Sequence, residues 1–224
     1  MEILDLLTPE QKQRYLLFKE FSDNAQSAYD FVLGSNMNQT TLAPITVNSE
    51  DQLADGVYFC LKSGDIIPFN TQTKVDNVAF IGIVVGGNRF GVTLHDKGEF
   101  ALYQDYDDCP ETADYYTRCN GKSCHEDPDF MAATKRIQKI GTDIPLEDGE
   151  YIPCIRQWDC MGMFKSQLQA ALKAAGGDPI SEDDWYWSAS ETSQSNAWYV
   201  YFSNGHAGTN TKYTSGRVRA VVAF

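Results

Sequence analysis

WYWSASE (185–191), TSQSNAWYVYFSNG (192–205) and HAGTNTKYTSGRVRAVVAF (206–224) close the chain, and their reading decides the fold. Two chemically different sets of positions interleave in this stretch. Trp198, Val200 and Phe202 fall on one side of a period-2 pattern, as do Val218, Ala220, Val222 and Phe224 further on. Such rows are the core-facing sides of β-strands. Asn204-Gly205, directly after the first row, predicts a type I′ hairpin turn. The second set is small, polar or tyrosine: Thr192 to Gly216 holds eight Ser/Thr, three Asn, three Tyr and one formal charge, Lys212. This is the chemistry of an antibody paratope, in which Tyr gives large contact area at low entropic cost and Ser, Asn and Gly adapt their hydrogen bonding. Because Tyr199, Tyr201 and Ser203 alternate with Trp198, Val200 and Phe202, the polar set is expected on a rigid strand, preorganised for binding.

Outward from this segment, Val57–Leu61 and Ile66–Phe69 flank a Lys62–Asp65 turn, and Val78–Val85 and Arg89–Leu94 flank Gly86-Gly87-Asn88; both pairs predict hairpins. Phe100–Tyr103 reads as one more short strand and 105–125 as a polar loop. Three helices are predicted. The first runs from a Thr8 cap with Pro9 at N1 to Gly34, with an apolar stripe of Tyr15, Phe18, Phe21 and Ala25. The second follows Asp127 and ends at Gly141. The third spans about 157–175 and stops at Gly176-Gly177. Residues 35–50 read as a linker. The expected organisation is therefore an N-terminal helix and linker (1–50), for oligomerisation or attachment, and an α+β domain over 51–224.

Composition narrows the function. With 18 Lys+Arg against 31 Asp+Glu among 224 residues, the net charge is −13, which disfavours nucleic acid as a partner. The longest apolar run, Val78–Val85, is far short of the ~18 residues of a membrane span. Met1–Leu7 has no basic n-region, so no secretory signal is expected and the six cysteines are taken as free thiols. Cys109, Cys119, Cys124 and His125 leave three readings: inert thiols, a disulfide within the loop, or a zinc site. The last is disfavoured, because structural zinc sites use close Cys-x2–4-Cys pairs. The clusters Glu182-Asp183-Asp184 and Asp105-Asp107-Asp108 read as solvated loops, not calcium ligands. No His or Cys has a nucleophile partner at motif spacing, so neither catalysis nor a cofactor is expected. A charge stranded in a sheet core must be paired, so Glu191 is expected to pair with Arg217 or Arg219.

Trp185-x-Trp187-Ser188-x-Ser190-Glu191, Ala197-Trp198-x-Val200-x-Phe202-x-x-Gly205, Lys212 and Arg217-Val218-Arg219-x-Val221 together resemble the C-terminal signature of the C-type-lectin-fold variable proteins of diversity-generating retroelements. That family includes phage tropism determinants and relatives in gut Bacteroidetes and their phages. Gly149–Pro153 to Gly176-Gly177 is similar to its helix-bearing segment, and 56–96 to its opening strands. The resemblance implies an α+β, C-type-lectin-like fold of twisted antiparallel sheets with two helices, preceded by the N-terminal helix. It implies a constant scaffold of Trp185, Trp187, Glu191, Trp198, Phe202, Gly205, Arg217 and Arg219. The displayed, mutable positions would be Thr192, Ser193, Ser195, Asn196, Tyr199, Tyr201, Ser203, His206, Ala207, Gly208, Thr209, Asn210, Thr211, Tyr213, Thr214 and Ser215. Randomising the adenines of an Asn codon reaches the residue at each of these positions but never Gln, Lys or Trp. Trp198 and Lys212 fall on constant positions, whereas Gln194 is a misfit taken as fixed or as drift.

The function so implied is binding of a cell-surface protein or glycan receptor by a phage-tail protein, in a virion or the cytoplasm. The N-terminal helix would make a homotrimer or attach the protein to a larger assembly. Two alternatives stand beside it: a bacterial adhesin-like protein, and a cysteine-dependent formylglycine-generating-type enzyme on the same fold.

Overall fold

Gly86 and Gly87 both adopt positive φ, 55° and 79°, closing the tight turn that the paired glycines predict. The strands it joins, β3 (Val78–Val85) and β4 (Asn88–Phe100), begin the middle of one large sheet. The computed structural model describes residues 53–71, 75–109 and 143–224. The chain divides into two units, Met1–Ala43 and Pro44–Phe224, and every described residue belongs to the second. The predicted N-terminal helix, the linker and the helix after Asp127 lie outside the described residues.

Seven more strands join β3 and β4: β1 (Gly56–Leu61), β2 (Ile66–Pro68), β5 (Glu150–Tyr151), β6 (Trp185–Glu191), β7 (Asn196–Tyr201), β8 (His206–Thr211) and β9 (Gly216–Val222). They form one nine-stranded sheet in the order β2-β1-β3-β4-β9-β6-β7-β8, with β5 paired to β9. All pairings are antiparallel except β6 with β9, which meet at Tyr186 and Arg217. Two short helices, α1 (Ile155–Met163) and α2 (Lys165–Ala174), complete the described residues.

This corrects the expected α+β, C-type-lectin-like fold. The described residues are 43% strand and 14% helix, and the strands belong to one mostly antiparallel nine-stranded sheet accompanied by two short helices. The physical reason is that period-2 and fully apolar runs account for far more of the described chain than helical periodicity does. The predicted helix over 157–175 begins earlier and breaks in two, because Phe164 leaves helical geometry (φ −111°, ψ 24°) to pack on the core. Its start is fixed by Gln157, whose side chain accepts from the Cys154 N–H at 3.0 Å and donates to the Tyr151 hydroxyl at 3.0 Å. Gly176, at φ 76°, ends α2 as predicted. Phe100 ends β4 instead of opening a new strand.

The sheet is buried on both faces. Tyr186, Trp198, Val200, Phe202 and Val221 pack with α1 and α2 in the main core. On the opposite face Trp187, Ala189, Ala197 and Val218 pack beneath 102–109 and 144–154. Of the predicted β9 row Val218 and Ala220 are fully buried and Val222 and Phe224 half-buried. Val221 of the other face is fully buried as well, because core lies on both sides of this strand. Arg219 is fully buried on the same strand. Its Nε lies 2.6 Å from Asp96, its register partner, and its other nitrogens donate to the Thr93 and Asp178 carbonyls at 2.9 and 2.8 Å. Asp96 also accepts from the Tyr186 hydroxyl at 2.8 Å; burial, with that carboxylate beside it, pushes the Tyr186 phenol up to about 12.

Candidate recognition surface

The alternation predicted for β7 is present in three dimensions. Ala197, Trp198, Val200 and Phe202 are buried, Tyr199, Tyr201 and Ser203 are half-buried, and His206 is exposed. Register sorts the neighbouring β8 residues onto two faces. Tyr199 faces Gly208, Tyr201 faces His206 and Ala197 faces Asn210. On the opposite face Trp198 meets Thr209, Val200 meets Ala207 and Asn196 meets Thr211. The sixteen displayed candidates thus do not share one face. Tyr199, Tyr201, His206, Gly208 and Asn210 share the first; Ala207, Thr209, Thr211 and Asn196 extend the second; the rest sit in the flanking turns.

The first face carries a ladder of rings. Trp187, fully buried, is 4.9 Å from Trp185; Trp185 is 5.0 Å from Tyr199; Tyr199 is 5.8 Å from Tyr201; and Tyr201 is 6.3 Å from His206. The ladder rises from the core to solvent across β6, β7 and β8. Its inner end is anchored by the Trp187 indole N–H, which donates to the Phe100 carbonyl at 3.1 Å. The outer rings are therefore held by the scaffold, as low-entropy contact area requires.

The loops at the ends of β7 and β8 are tied down by a buried charge. Lys212 is fully buried and its ammonium pairs with Glu191, also fully buried. It also donates to the Gln194 carbonyl at 2.6 Å and stands 5.4 Å over the Tyr103 ring. The Lys212 backbone completes the tie: its N–H donates to the Ser195 carbonyl at 2.8 Å, and its carbonyl accepts from Leu102 and Tyr103 at 2.7 and 3.1 Å. One residue thereby joins the end of β6, the 192–195 loop, the 102–103 segment and the turn before β9. Glu191 is paired as predicted, but the observed cation is Lys212; Arg217 instead reaches Asp184 at 2.7 Å and Asp96 at 3.4 Å. A buried ion pair needs good geometry and further hydrogen bonds, and Lys212 meets both from across the β7–β8 hairpin by pairing with Glu191 while donating to the Gln194 carbonyl.

Gln194 has a structural role that its codon class hinted at. Its amide donates to the Cys109 carbonyl at 3.0 Å and accepts from the Tyr106 hydroxyl at 3.4 Å. It fastens the 105–109 turn against the 192–195 loop. Tyr106, 53% exposed, thereby joins the surface beside Thr192 and Ser193; an isolated Tyr in an acidic loop gave no signal of this. Tyr213, 43% exposed, and Ser215 stand in the opposite turn, where Thr214 donates to Asn210 at 3.3 Å and shares a hydrogen bond with Thr211 at 2.8 Å.

Among the scaffold residues, Trp187, Trp198, Phe202 and Arg219 are buried, whereas Trp185 and Arg217 are half-buried. Gly205 is exposed and is required for its φ of 68°. Asn204 lacks positive φ, so the predicted two-residue type I′ turn is instead a four-residue loop over 202–205. It is closed by the Gly205 N–H to the Tyr201 carbonyl at 2.9 Å and by the Asn204 side chain accepting from His206 N–H at 2.9 Å. Phe202 has dropped into the core, and that burial starts the turn early.

None of the displayed candidates carries a fixed charge, but the surface is bordered by Lys165, which donates to the Ser203 carbonyl at 2.8 Å, and by Asp105, Asp107 and Asp108, exposed around Tyr106. The one lysine between Thr192 and Gly216 is buried and paired with Glu191. Among the described residues, no group of three His, Cys, Asp or Glu side chains is placed to hold a metal, and no helix is long and apolar enough to cross a membrane. Cys109 is buried; Cys119, Cys124 and His125 lie outside the described residues. Burial raises the Cys60 thiol to about 12 and pushes up those of Cys109 and Cys160.

No protein-family profile matches the chain, and no curated protein matches its sequence. Among solved structures it is similar to a fimbrial protein from Bacteroides ovatus ATCC 8483, with a TM-score of 0.50 and 16% identity over 77% of this chain and 49% of that one. The chain thus spans about half the length of that protein, and at this identity the likeness is one of fold.

Proposed function

We propose that the chain is a non-enzymatic, adhesin-like recognition protein whose partner docks on the β7–β8 face and its flanking loops. The observation that carries this reading is the alternation over 198–203, with buried Trp198, Val200 and Phe202 holding half-buried Tyr199, Tyr201 and Ser203 on the end of β7 and the turn that follows it, beside loops tied by Glu191–Lys212. Rigid rings surrounded by Ser, Thr and Asn form a contact surface with little entropy left to lose. Because the displayed candidates themselves carry no fixed charge, the direct contacts suit an uncharged patch of protein or glycan. Several copies held together would add avidity to modest single contacts.

The residue pattern, independent of fold family, supports a finer reading: the displayed codons are rewritten by a diversity-generating retroelement. The likeness to a fimbrial protein favours display on a bacterial surface; placement on a phage tail is the rival setting, recognisable by tail genes beside this one. The raised thiols of Cys60, Cys109 and Cys160 favour binding over cysteine-dependent catalysis.

Fluorescently labelled full-length protein applied to a panel of gut Bacteroidetes cells tests the binding role. The expected result is strain-selective binding, lost in a Tyr199→Ser, Tyr201→Ser, His206→Ser triple variant that melts like the parent. Equal binding by parent and variant would reject the surface. For diversification, the neighbouring DNA should contain a near-copy of codons 185–219 that differs only where the copy has adenine; its absence, with no reverse transcriptase gene nearby, leaves a static adhesin.

A further inference from the structure

Most glycines of this sheet and its turns explain themselves by positive φ, but Gly82, Gly91, Gly208 and Gly216 do not, and of these Gly208 and Gly216 lie under rings of the ladder. What excludes a side chain is an aromatic ring lying where the Cβ would be. At Gly208 that space is taken by the end of the Tyr199 ring: a Cβ there would meet the hydroxyl first, with Cζ at 2.5 Å and Cε1 at 3.1 Å. At Gly216 it is taken by the six-membered ring of Trp185, with Cζ2 at 2.9 Å. The two rings that lie on these glycines are neighbours in the ladder, 5.0 Å apart. Glycine within a strand often marks such close approach.

We propose that position 208 is a specificity-determining, positioning residue that acts through Tyr199: glycine lets the ring lie down across β8, and any side chain lifts it. This rests on the recognition reading for its functional consequence, but not for its physics. The obstructing atoms are the far end of a side chain with two free torsions, so a Cβ at 208 moves the ring and leaves the strand intact. Tyr199 touches Trp185 on one side and Tyr201 on the other, and Tyr201 touches His206. Lifting one ring therefore re-poses the outer half of the ladder. Positions 199 and 208 are register partners and form one coupled unit, so a half-buried residue reshapes the surface without touching the partner. Gly216 fixes Trp185 in the same manner at the constant end, so the ladder has one fixed foot and one adjustable foot.

A double-mutant cycle in the full-length chain tests the coupling. With Tyr199 or Tyr199→Phe present, Gly208→Ala should lower the melting temperature by about 2–4 °C. In the Tyr199→Ala background the same change should be neutral or stabilising, because Ala suits a strand better than Gly and narrows the unfolded ensemble. Independently of any substitution at 208, NMR of the parent should show Tyr199 ring contacts to ring-shifted Gly208 α-protons, and Tyr199→Ala should return those resonances to ordinary positions. Equal effects of Gly208→Ala in both backgrounds, or unshifted α-protons, would overturn the proposal. On cells, Gly208→Ala should alter binding as strongly as Tyr199→Ala, and the double variant no more. If the cycle shows coupling while none of these variants alters binding, the coupling stands and the recognition surface lies elsewhere; if the cycle is additive, the coupling fails whatever the cells do.

Discussion

Two hairpins of the same sheet, β3–β4 and β7–β8, are built from the same backbone physics and put to opposite uses. In the first, Ile81, Ile83 and Val84 of β3 and Phe90 and Val92 of β4 are all essentially buried, so both strands carry core. In the second, only β7 does: Ala197, Trp198 and Val200 are buried, whereas none of His206–Thr211 on β8 is. β8 is held at its ends instead, by the 202–205 loop and by Lys212. A strand fixed by its termini and by main-chain pairing contributes little apolar burial of its own, so its side chains can change with little effect on stability. The difference teaches that exchangeability here comes from where the anchors sit, at the ends of the strand and on its neighbour.

The largest break in that comparison should come from the anchor. Lys212→Ala strands Glu191 in the core and should cost on the order of 3–5 kcal/mol in urea unfolding, while a Glu191→Met, Lys212→Met double variant should recover most of it. A double variant no better than the single would mean that the ion pair is incidental. Next come the core rows: Trp198→Ala and Ile83→Ala should cost about 3–5 and 2–5 kcal/mol respectively, against under about 0.5 kcal/mol for Thr209→Ala or Tyr213→Ser. Chemical denaturation of the four variants side by side would erase the contrast if Thr209→Ala cost as much as Ile83→Ala. The turns should respond alike in both hairpins: Gly87→Ala and Gly205→Ala force a side chain into left-handed backbone and should each lose about 1 kcal/mol. The smallest effect lies on β4 beyond its pairing with β3. His95 hydrogen-bonds Asp178 at 3.0 Å and holds its carboxyl below the usual range. A depressed carboxyl contributes stability that is present above the ordinary carboxylate pKa and lost as pH falls through its folded value. His95→Ala should therefore lower stability slightly at neutral pH, leave it unchanged well below the carboxylate range, and flatten the acid limb between the two.

Much of the surface was legible in the sequence because period-2 alternation reports the face of a side chain directly; Trp198, Val200 and Phe202 could not be turned outward without losing the core. The paired glycines at 86–87 and the stop at Gly176 were legible for the same local reason. What was not legible is non-local. The partner of Glu191 depends on a hairpin bringing Lys212 back to the end of β6, and sequence proximity pointed to the wrong cations. The sorting of β8 onto two faces follows from register, which one strand's pattern does not set. The early turn at 202–205 reflects tertiary burial of Phe202 overriding a strong Asn-Gly turn preference. The C-type-lectin-like architecture failed as an expectation because a short signature reports the environment of its own residues, whereas the arrangement of nine strands in one sheet depends on pairings across the whole domain.

The central claim is that the scaffold is indifferent to what it displays. Its most direct test is a full-length library in which Tyr199, Tyr201, His206, Thr209 and Tyr213 are randomised together, with protease resistance measured for every member. The account predicts that most members resist as the parent does, with losses concentrated in none of the five positions. Widespread loss of resistance, comparable to that of Trp198→Ala, would contradict it.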